Sequence, residues 1–306
     1  MDVTEIVGRA RAALAAVAGY SQEQVDALVT AVAWAVVRKD AAAALARMAA
    51  DEGGFGNEPD KLTKINRRVM GVLADLRGVP TVGVVEQDPA RGLVKIAKPV
   101  GVVAGLVPAT GPDATPPVKA LFALKGRNAI VIAGHPRTQR TTAAVVDRMR
   151  AACVQVGAPA DLIQVIPKPS IATTQALMRE VDLIVATGGA AMVKAAYSSG
   201  TPAFGVGVGN AVHVVDETAD LDDAATAIAT AKTFDHATSC LADNAAVAEE
   251  RIVDGLVERL VALGGYLCDA QEKAGLQRAL WPDGGPIPTI DVVAKPAAQI
   301  ARLAGF

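Results

Sequence analysis

Three cysteines are the strongest nucleophiles in this sequence, and they stand in different surroundings. Cys240 lies in Lys232-Thr-Phe-Asp-His-Ala-Thr-Ser-Cys-Leu-Ala-Asp-Asn244, a run of small and polar residues between an expected helix and an expected strand. A thiol works as a thiolate where it has access and hydrogen-bonding or electropositive neighbours, so this context suits covalent catalysis as well as an inert exposed thiol. His236 is four residues earlier, and a helical turn would put the two on one face. A Cys–His dyad also needs a third, orienting group, and none is visible. Cys153, in the apolar periodicity of Met149-Arg-Ala-Ala-Cys-Val-Gln-Val156, reads as core packing, and so does Cys268 after Gly-Gly-Tyr-Leu, because a free Cys behaves as a small hydrophobe.

Glycine turns form the second group of candidates. Leu183-Ile-Val-Ala-Thr-Gly-Gly189 runs an apolar strand into a glycine pair and then a helix, a turn that lets backbone N–H groups approach a phosphate. It is not GxGxxG, and a purely structural strand-to-helix turn explains it equally well. Gly205-Val-Gly-Val-Gly209 fits close ligand approach or a bent strand. His135 and Arg137, at the polar tip after Asn128–Ala133, suit a ribose or phosphate, or simply cap a solvated loop.

The elements that must position these residues begin with helices over Val3–Val17, Val25–Val37, an alanine-rich run to Ala50 and Leu62–Leu76, with a Gly/Pro loop over Asp51–Pro59. The first helix is read as packed on the domain, in preference to a docking or encapsulation peptide. Short β-type runs follow at Leu93–Ile96 and Val100–Val107, the second without polar interruption, as for a strand covered on both faces. Strands at Asn128–Ala133, Leu162–Ile166, Leu183–Ala186 and Ala203–Val206 then alternate with helices over Thr138–Val156, Ile171–Met178 and Ala190–Tyr197. This alternation predicts an α/β fold with a mostly parallel, Rossmann-type sheet and a ligand at the carboxyl ends of its strands. Val212–Val215, a helix near Leu221–Lys232, Ala245–Ala248 and a helix over Arg251–Leu263 lead to further helical stretches. The last, Pro296–Leu303, is followed by a C-capping Gly305 and an apolar Phe306, a pattern that usually leads into more structure.

Composition narrows the function. Of 306 residues, 51% are hydrophobic and 20% charged, enough apolar side chain for a packed interior and against disorder. Thirty Lys+Arg against 32 Asp+Glu, with 3% aromatics, give neither a basic field nor stacking rings, which excludes nucleic acid as the expected partner. No apolar run approaches the ~18 residues of a membrane span, and the first residues lack a signal peptide's apolar stretch. Three cysteines without a CxxC make neither a disulfide framework nor a zinc site. The expectation is a cytoplasmic protein with no metal.

Taken together, Gly101-Val-Val-Ala-Gly-Leu-Val-Pro-Ala-Thr110, Ala120-Leu-Phe-Ala-Leu-Lys-Gly-Arg-Asn-Ala-Ile130, His135-Pro-Arg137, the Ala186–Gly200 segment, Gly205-Val-Gly-Val-Gly-Asn210 and Lys232-Thr-Phe-Asp235 followed by Cys240 resemble the aldehyde dehydrogenase superfamily. The likeness is to its acylating, coenzyme A-dependent branch, as in the first half of bifunctional aldehyde–alcohol dehydrogenases, and runs from about residue 20 to the end. It implies a domain over residues 1–232 that binds NAD or NADP, and residues 233–306 as the first part of a catalytic domain that relatives continue. It implies Cys240 as the nucleophile, a small aldehyde and coenzyme A as co-substrates, and a homo-oligomer. Contacts to the nucleotide are implied for Pro108, Ala109, Thr110, His135, Pro136, Arg137, Thr187, Gly188, Gly189, Met192, Gly205 and Gly207.

Departures from the family pattern carry chemistry too. Hydrolytic relatives hold a Glu, as base for water, in the strand that reads Gly205-Val-Gly-Val-Gly here. General base catalysis contributes about 10²–10⁴-fold, and a thiol needs that help far less than water, so its loss favours thiolysis. A hydrolytic dehydrogenase is thus the runner-up, and an inactive nucleotide-binding or assembly module is the reading from another class. Gly111 stands where the family has an Asn donating to the oxyanion. His236 stands where it has the Asn after Phe-Asp, and an imidazolium there would favour an anionic aldehyde such as sulfoacetaldehyde.

Overall fold

The computed structural model describes residues 2–306. It divides into two compact units, one of the residues up to Gly53 together with Lys61–Gly207, the other of Gly54–Asp60 with Val208–Phe306. The compact units part at Gly207/Val208, and the helix Leu221–Thr233 spans the position of the 232/233 boundary expected from the resemblance.

The first unit opens with α1 (Val3–Ala16), α2 (Gln22–Val37), α3 (Lys39–Gly53) and α4 (Glu58–Leu76). Each buries one stripe. On α1 it is Val3, Ile6, Val7, Ala10 and Ala13, on α2 Val25, Leu28, Val29, Val32, Ala33 and Val36, so both helices face a core. The docking-peptide alternative for the first helix therefore falls away. Ser21 caps α2 through a reciprocal bond with Gln24. The loop expected over Asp51–Pro59 shrinks to residues 54–57, because Pro59 sits in the first turn of α4, where a missing N–H costs nothing.

The strands β1 (Gly83–Asp88) and β2 (Leu93–Ala97) form an antiparallel hairpin, and β1 was not expected. The central sheet follows, with β3 (Val102–Leu106), α5 (Thr115–Lys125), β4 (Ala129–Ala133), α6 (Gln139–Gln155), β5 (Ile163–Val165), α7 (Ile171–Glu180), β6 (Leu183–Thr187), α8 (Ala190–Tyr197) and β7 (Ala203–Val206). The unexpected α5 starts Thr-Pro-Pro, which reads as a break in sequence, yet proline is tolerated in the first turn of a helix. All five strands are parallel, in the order β5-β4-β3-β6-β7. Every residue of β3 and β4 is buried, as the uninterrupted apolar run of β3 predicted for that strand. Side chains such as Leu106, Ile130 and Ile132 each contribute roughly 1.5–3 kcal/mol by leaving water. The chain winds outward from β3 through β4 to β5, then returns to add β6 and β7 on the other side of β3. Its direction therefore reverses between β3 and β6, the kind of switch point outside whose strand carboxyl ends open α/β sheets bind ligands.

In the second unit β8 (Ala211–Val215) and β9 (Asp243–Ala248) pair in parallel, joined through α9 (Leu221–Thr233). A small core of Val215, Ala225 and Leu256 lies under them, the last contributed by α10 (Val253–Ala262). The helices α11 (Ala270–Leu280), capped by Asp269 and Glu272, and α12 (Ala297–Ala304) complete it. Gly305 ends α12 at φ +97°, and the Phe306 ring stacks on Tyr266 at 5.7 Å.

Candidate active site

Four loops of the first unit leave the carboxyl ends of the sheet, and they hold the residues implied for the nucleotide. After β3, Val107 N–H donates to the Ala133 carbonyl at 2.9 Å, and Pro108–Thr110 form a turn closed by Gly111 N–H on the Pro108 carbonyl at 3.2 Å. Gly111 is buried, its N–H is committed within the turn, and a Cβ there would lie 2.6 Å from Thr115 Oγ1. The turn is therefore built around the missing side chain, and an Asn would displace Thr115.

After β4, His135 Nδ1 accepts the Arg137 N–H at 3.1 Å and caps the short 3₁₀ turn Pro136–Thr138, while Arg137 Nε donates to the Gly53 carbonyl at 3.0 Å. Partial burial of the ring, and then the charge of Arg137, hold the His135 pKa below the usual histidine value. After β6, Gly188 N–H donates to the Val206 carbonyl at 3.2 Å and Met192 packs beside Gly188. Gly189 starts α8 with no side-chain cap and with open space where a Cβ would point. On β7, the Gly205 N–H donates to the Tyr197 hydroxyl at 3.0 Å. A Cβ on Gly205 would meet Val193 Cγ1 at 2.7 Å and Tyr197 Cε2 at 2.9 Å, so this position takes no larger side chain unless both neighbours move, whereas at Gly207 the nearest atom is Val193 Cγ2 at 3.8 Å.

Two buried groups near these loops carry no sequence signal. Lys119, on α5, donates to the Val185 carbonyl at 2.6 Å, and burial pulls its pKa down to about 7. Asp113, fully buried just ahead of α5, has no hydrogen-bond partner for either carboxylate oxygen. Among the described residues no cluster of metal-ligating side chains occurs.

In the second unit Cys240 is exposed and follows an unusual turn. Asp235, His236 and Ala237 all have left-handed backbone, with φ of 50°, 50° and 56°. Such a conformation costs an L-residue roughly 1–2 kcal/mol. The helical turn that would place His236 and Cys240 on one face is therefore absent, which removes the geometric basis of a dyad. Asp235 is fully buried. Its Oδ1 accepts the Asn57 N–H at 3.0 Å, its own N–H donates to Asp60 Oδ2 at 2.7 Å, and its carbonyl accepts the Thr238 hydroxyl. Asn57 and Asp60 are tied in turn, by Asn57 Nδ2 on Asp60 Oδ2 at 2.7 Å and Asp60 N–H on Asn57 Oδ1 at 2.9 Å. Gly56, at φ +68°, passes so close that a Cβ would fall 1.7 Å from Asp235 Oδ1. Beyond the thiol, the Cys240 carbonyl lies against Gly209, and His213 Nδ1 bonds Asp243 Oδ2 at 2.7 Å across the start of the β8–β9 pair.

Of the other two thiols, only Cys153 shows the core packing expected of both. Cys153 is sealed in the core, where burial pushes its pKa up to about 12, and Cys268 is half-buried.

The model of the aldehyde dehydrogenase family matches residues 1–264. The sulfoacetaldehyde dehydrogenase (acylating) of Cupriavidus necator is 44% identical over 305 residues, which cover 99% of this chain and 62% of that protein. The chain thus spans less than two thirds of that relative's length. The crystal structure of an acetylating aldehyde dehydrogenase from Geobacillus thermoglucosidasius matches with a TM-score of 0.95 at 37% identity, over 99% of this chain and 67% of the other. A crystal structure of Rhodopseudomonas palustris propionaldehyde dehydrogenase with bound CoA and an acylated cysteine matches with a TM-score of 0.89 at 29% identity, over 100% and 69%. These relatives agree with the likeness to the acylating branch drawn from the motifs. With most of its length matched by the family model, the chain belongs to the aldehyde dehydrogenase family.

Proposed function

We propose that the protein oxidises a small aldehyde to its acyl-CoA, with NAD or NADP as oxidant and Cys240 as nucleophile. The observation that carries this reading is an exposed thiol at Cys240 in a chain whose Gly205–Gly209 segment holds no acidic side chain to act as base for water. The nucleotide is assigned to the loops at the carboxyl ends of the first unit's sheet, Pro108–Thr110, His135–Arg137 and Thr187–Gly189, with Met192, Gly205 and Gly207. The open, side-chain-free start of α8 suits a phosphate. Residues up to 232 then form the nucleotide domain and 233–306 begin the catalytic domain.

The Cys240 thiolate adds to the aldehyde carbon, and its backbone N–H faces the developing oxyanion in place of the Asn that Gly111 lacks. When bound, NAD(P) supplies the hydride acceptor. The carbon, having lost its hydride, remains on Cys240 as a thioester. The coenzyme A thiolate attacks that carbonyl, the C–S bond to Cys240 breaks, and the Cys240 thiolate is regenerated. His236, in the turn before Cys240, favours an anionic aldehyde of the sulfoacetaldehyde kind. Exposed Val84, Leu93, Val94 and Ile96 on the β1–β2 hairpin support a homo-oligomer. The three unpaired thiols, with no described helix long and apolar enough to cross a membrane, support a cytoplasmic location.

Product analysis tests the reading. With sulfoacetaldehyde or acetaldehyde, NAD(P) and coenzyme A, acyl-CoA is the expected product, and Cys240→Ser abolishes it. Free acid formed equally well without coenzyme A would overturn the assignment.

A further inference from the structure

The turn before Cys240 is held from far away in sequence. Asp235, His236 and Ala237 run consecutively through left-handed backbone without a glycine among them, and such stretches persist only where the surroundings over-determine them. Here the surroundings are identifiable. The Gly56–Asp60 segment supplies a donor to the Asp235 carboxylate, an acceptor for the Asp235 N–H, and the close passage that only glycine allows. The contacts span 175 and 178 residues of sequence. Asn57 and Asp60 hold each other through two side-chain bonds, so the brace is one unit. On the other side of the turn, the Thr238 hydroxyl returns to the Asp235 carbonyl two residues before the thiol.

We infer that Asp60, Asn57 and Gly56, acting through Asp235, are positioning residues for Cys240 and set its reactivity. The inference rests on the reading of Cys240 as the nucleophile. A relaxed turn would carry the sulfur off its line of attack, and displacement by about 1 Å costs a reaction up to ~10²-fold. The loss should therefore appear in kcat, leaving the KM for the aldehyde close to the native value.

The test compares Asp60→Ala, Asp60→Asn and Gly56→Ala with the native chain. Asp60→Asn keeps an oxygen able to accept the Asp235 N–H, so it acts as the conservative rescue. Alkylation of Cys240 by iodoacetamide, followed by mass spectrometry, needs no turnover, and Cys268 in the same molecule serves as the internal reference. Asp60→Ala and Gly56→Ala are expected to slow Cys240 alkylation and acyl-CoA formation by roughly tenfold or more, with Cys268 unchanged and Asp60→Asn near native. Folding is checked by thermal denaturation of each variant. If Gly56→Ala does not fold, the Asp60 pair decides alone. A folded Asp60→Ala with native Cys240 kinetics, or an Asp60→Asn as impaired as Asp60→Ala, overturns the inference. If instead Cys240→Ser keeps forming acyl-CoA, the nucleophile assignment fails first and takes the inference with it. A native-like Asp60→Ala beside an inactive Cys240→Ser sinks the brace alone.

Discussion

The loops at the carboxyl ends of the first unit's sheet and the Cys240 turn of the second unit are built in opposite ways. In the first unit, backbone groups hold the loops in place. Val107 and Gly188 extend the parallel ladder by one bond each, and the glycines are set by what packs beside them. In the second unit the turn is strained, and the Asn57 N–H and half-buried Asp60 carboxylate of a distant segment hold it through the buried Asp235. Ladder-held loops inherit their geometry from a core that folds for other reasons. A side-chain-held turn depends on a few polar atoms, each costly to leave unpaired.

The sharpest way to break the first half of this contrast is Gly205→Glu. It puts a carboxylate on β7, but its Cβ meets Val193 and Tyr197 below 3 Å. Overpacking of that kind costs about 1–3 kcal/mol. Denaturant unfolding should show a loss in that range, and product analysis no gain of free acid. An undiminished stability would mean that β7 accommodates the side chain and that the glycine is not dictated by packing.

Next in size is the pH response of Lys119. Its folded pKa of about 7 lies below the ordinary lysine value, so between pH 7 and about 10.5 the unfolded chain binds a proton that the folded chain does not. Stability therefore rises with pH across that window, by at most about 1.4 kcal/mol per pH unit. Thermal midpoints measured from pH 7 to 9 should climb in the native chain and lose that slope in Lys119→Met. An equal slope in both would place the lysine's charge outside the stability of β6.

The smallest effect sharpens the second half of the contrast. His236→Asn should reduce the preference for sulfoacetaldehyde over acetaldehyde by several-fold, on the order of 1 kcal/mol, as for one partly screened charge. Unchanged ratios of kcat/KM would remove His236 from substrate choice and leave it as a residue of the strained turn alone.

Most of the first unit was legible because its strands are uninterrupted apolar runs and its turns are glycines. Val102–Leu106 needs no tertiary information to be read as a buried strand, nor Leu183–Ala186 as an apolar one, of which Ile184 and Ala186 are buried. The hairpin strand β1 was hidden by Glu86, Gln87 and Asp88, and α5 by its opening prolines, since in both the local composition argues against the element that packing selects. Cys153 was legible as core because its helix has a clear period. The Cys240 turn was legible only as a break in pattern. Its left-handed backbone and the Asn57–Asp60 brace are set by contacts between residues too far apart for any window along the chain to connect. The burial of Lys119 was invisible for a related reason, because nothing in Pro-Val-Lys-Ala says which way the amine points.

The bond from Asn57 to Asp235 also sets a schedule for making the protein. Its two ends are separated by 178 residues. At typical rates of synthesis, roughly 10–35 s pass between the emergence of one and the other from the ribosome. A nascent chain therefore carries its Gly56–Asp60 clasp long before there is anything to fasten, and the turn before Cys240 closes only once Asp235 has arrived.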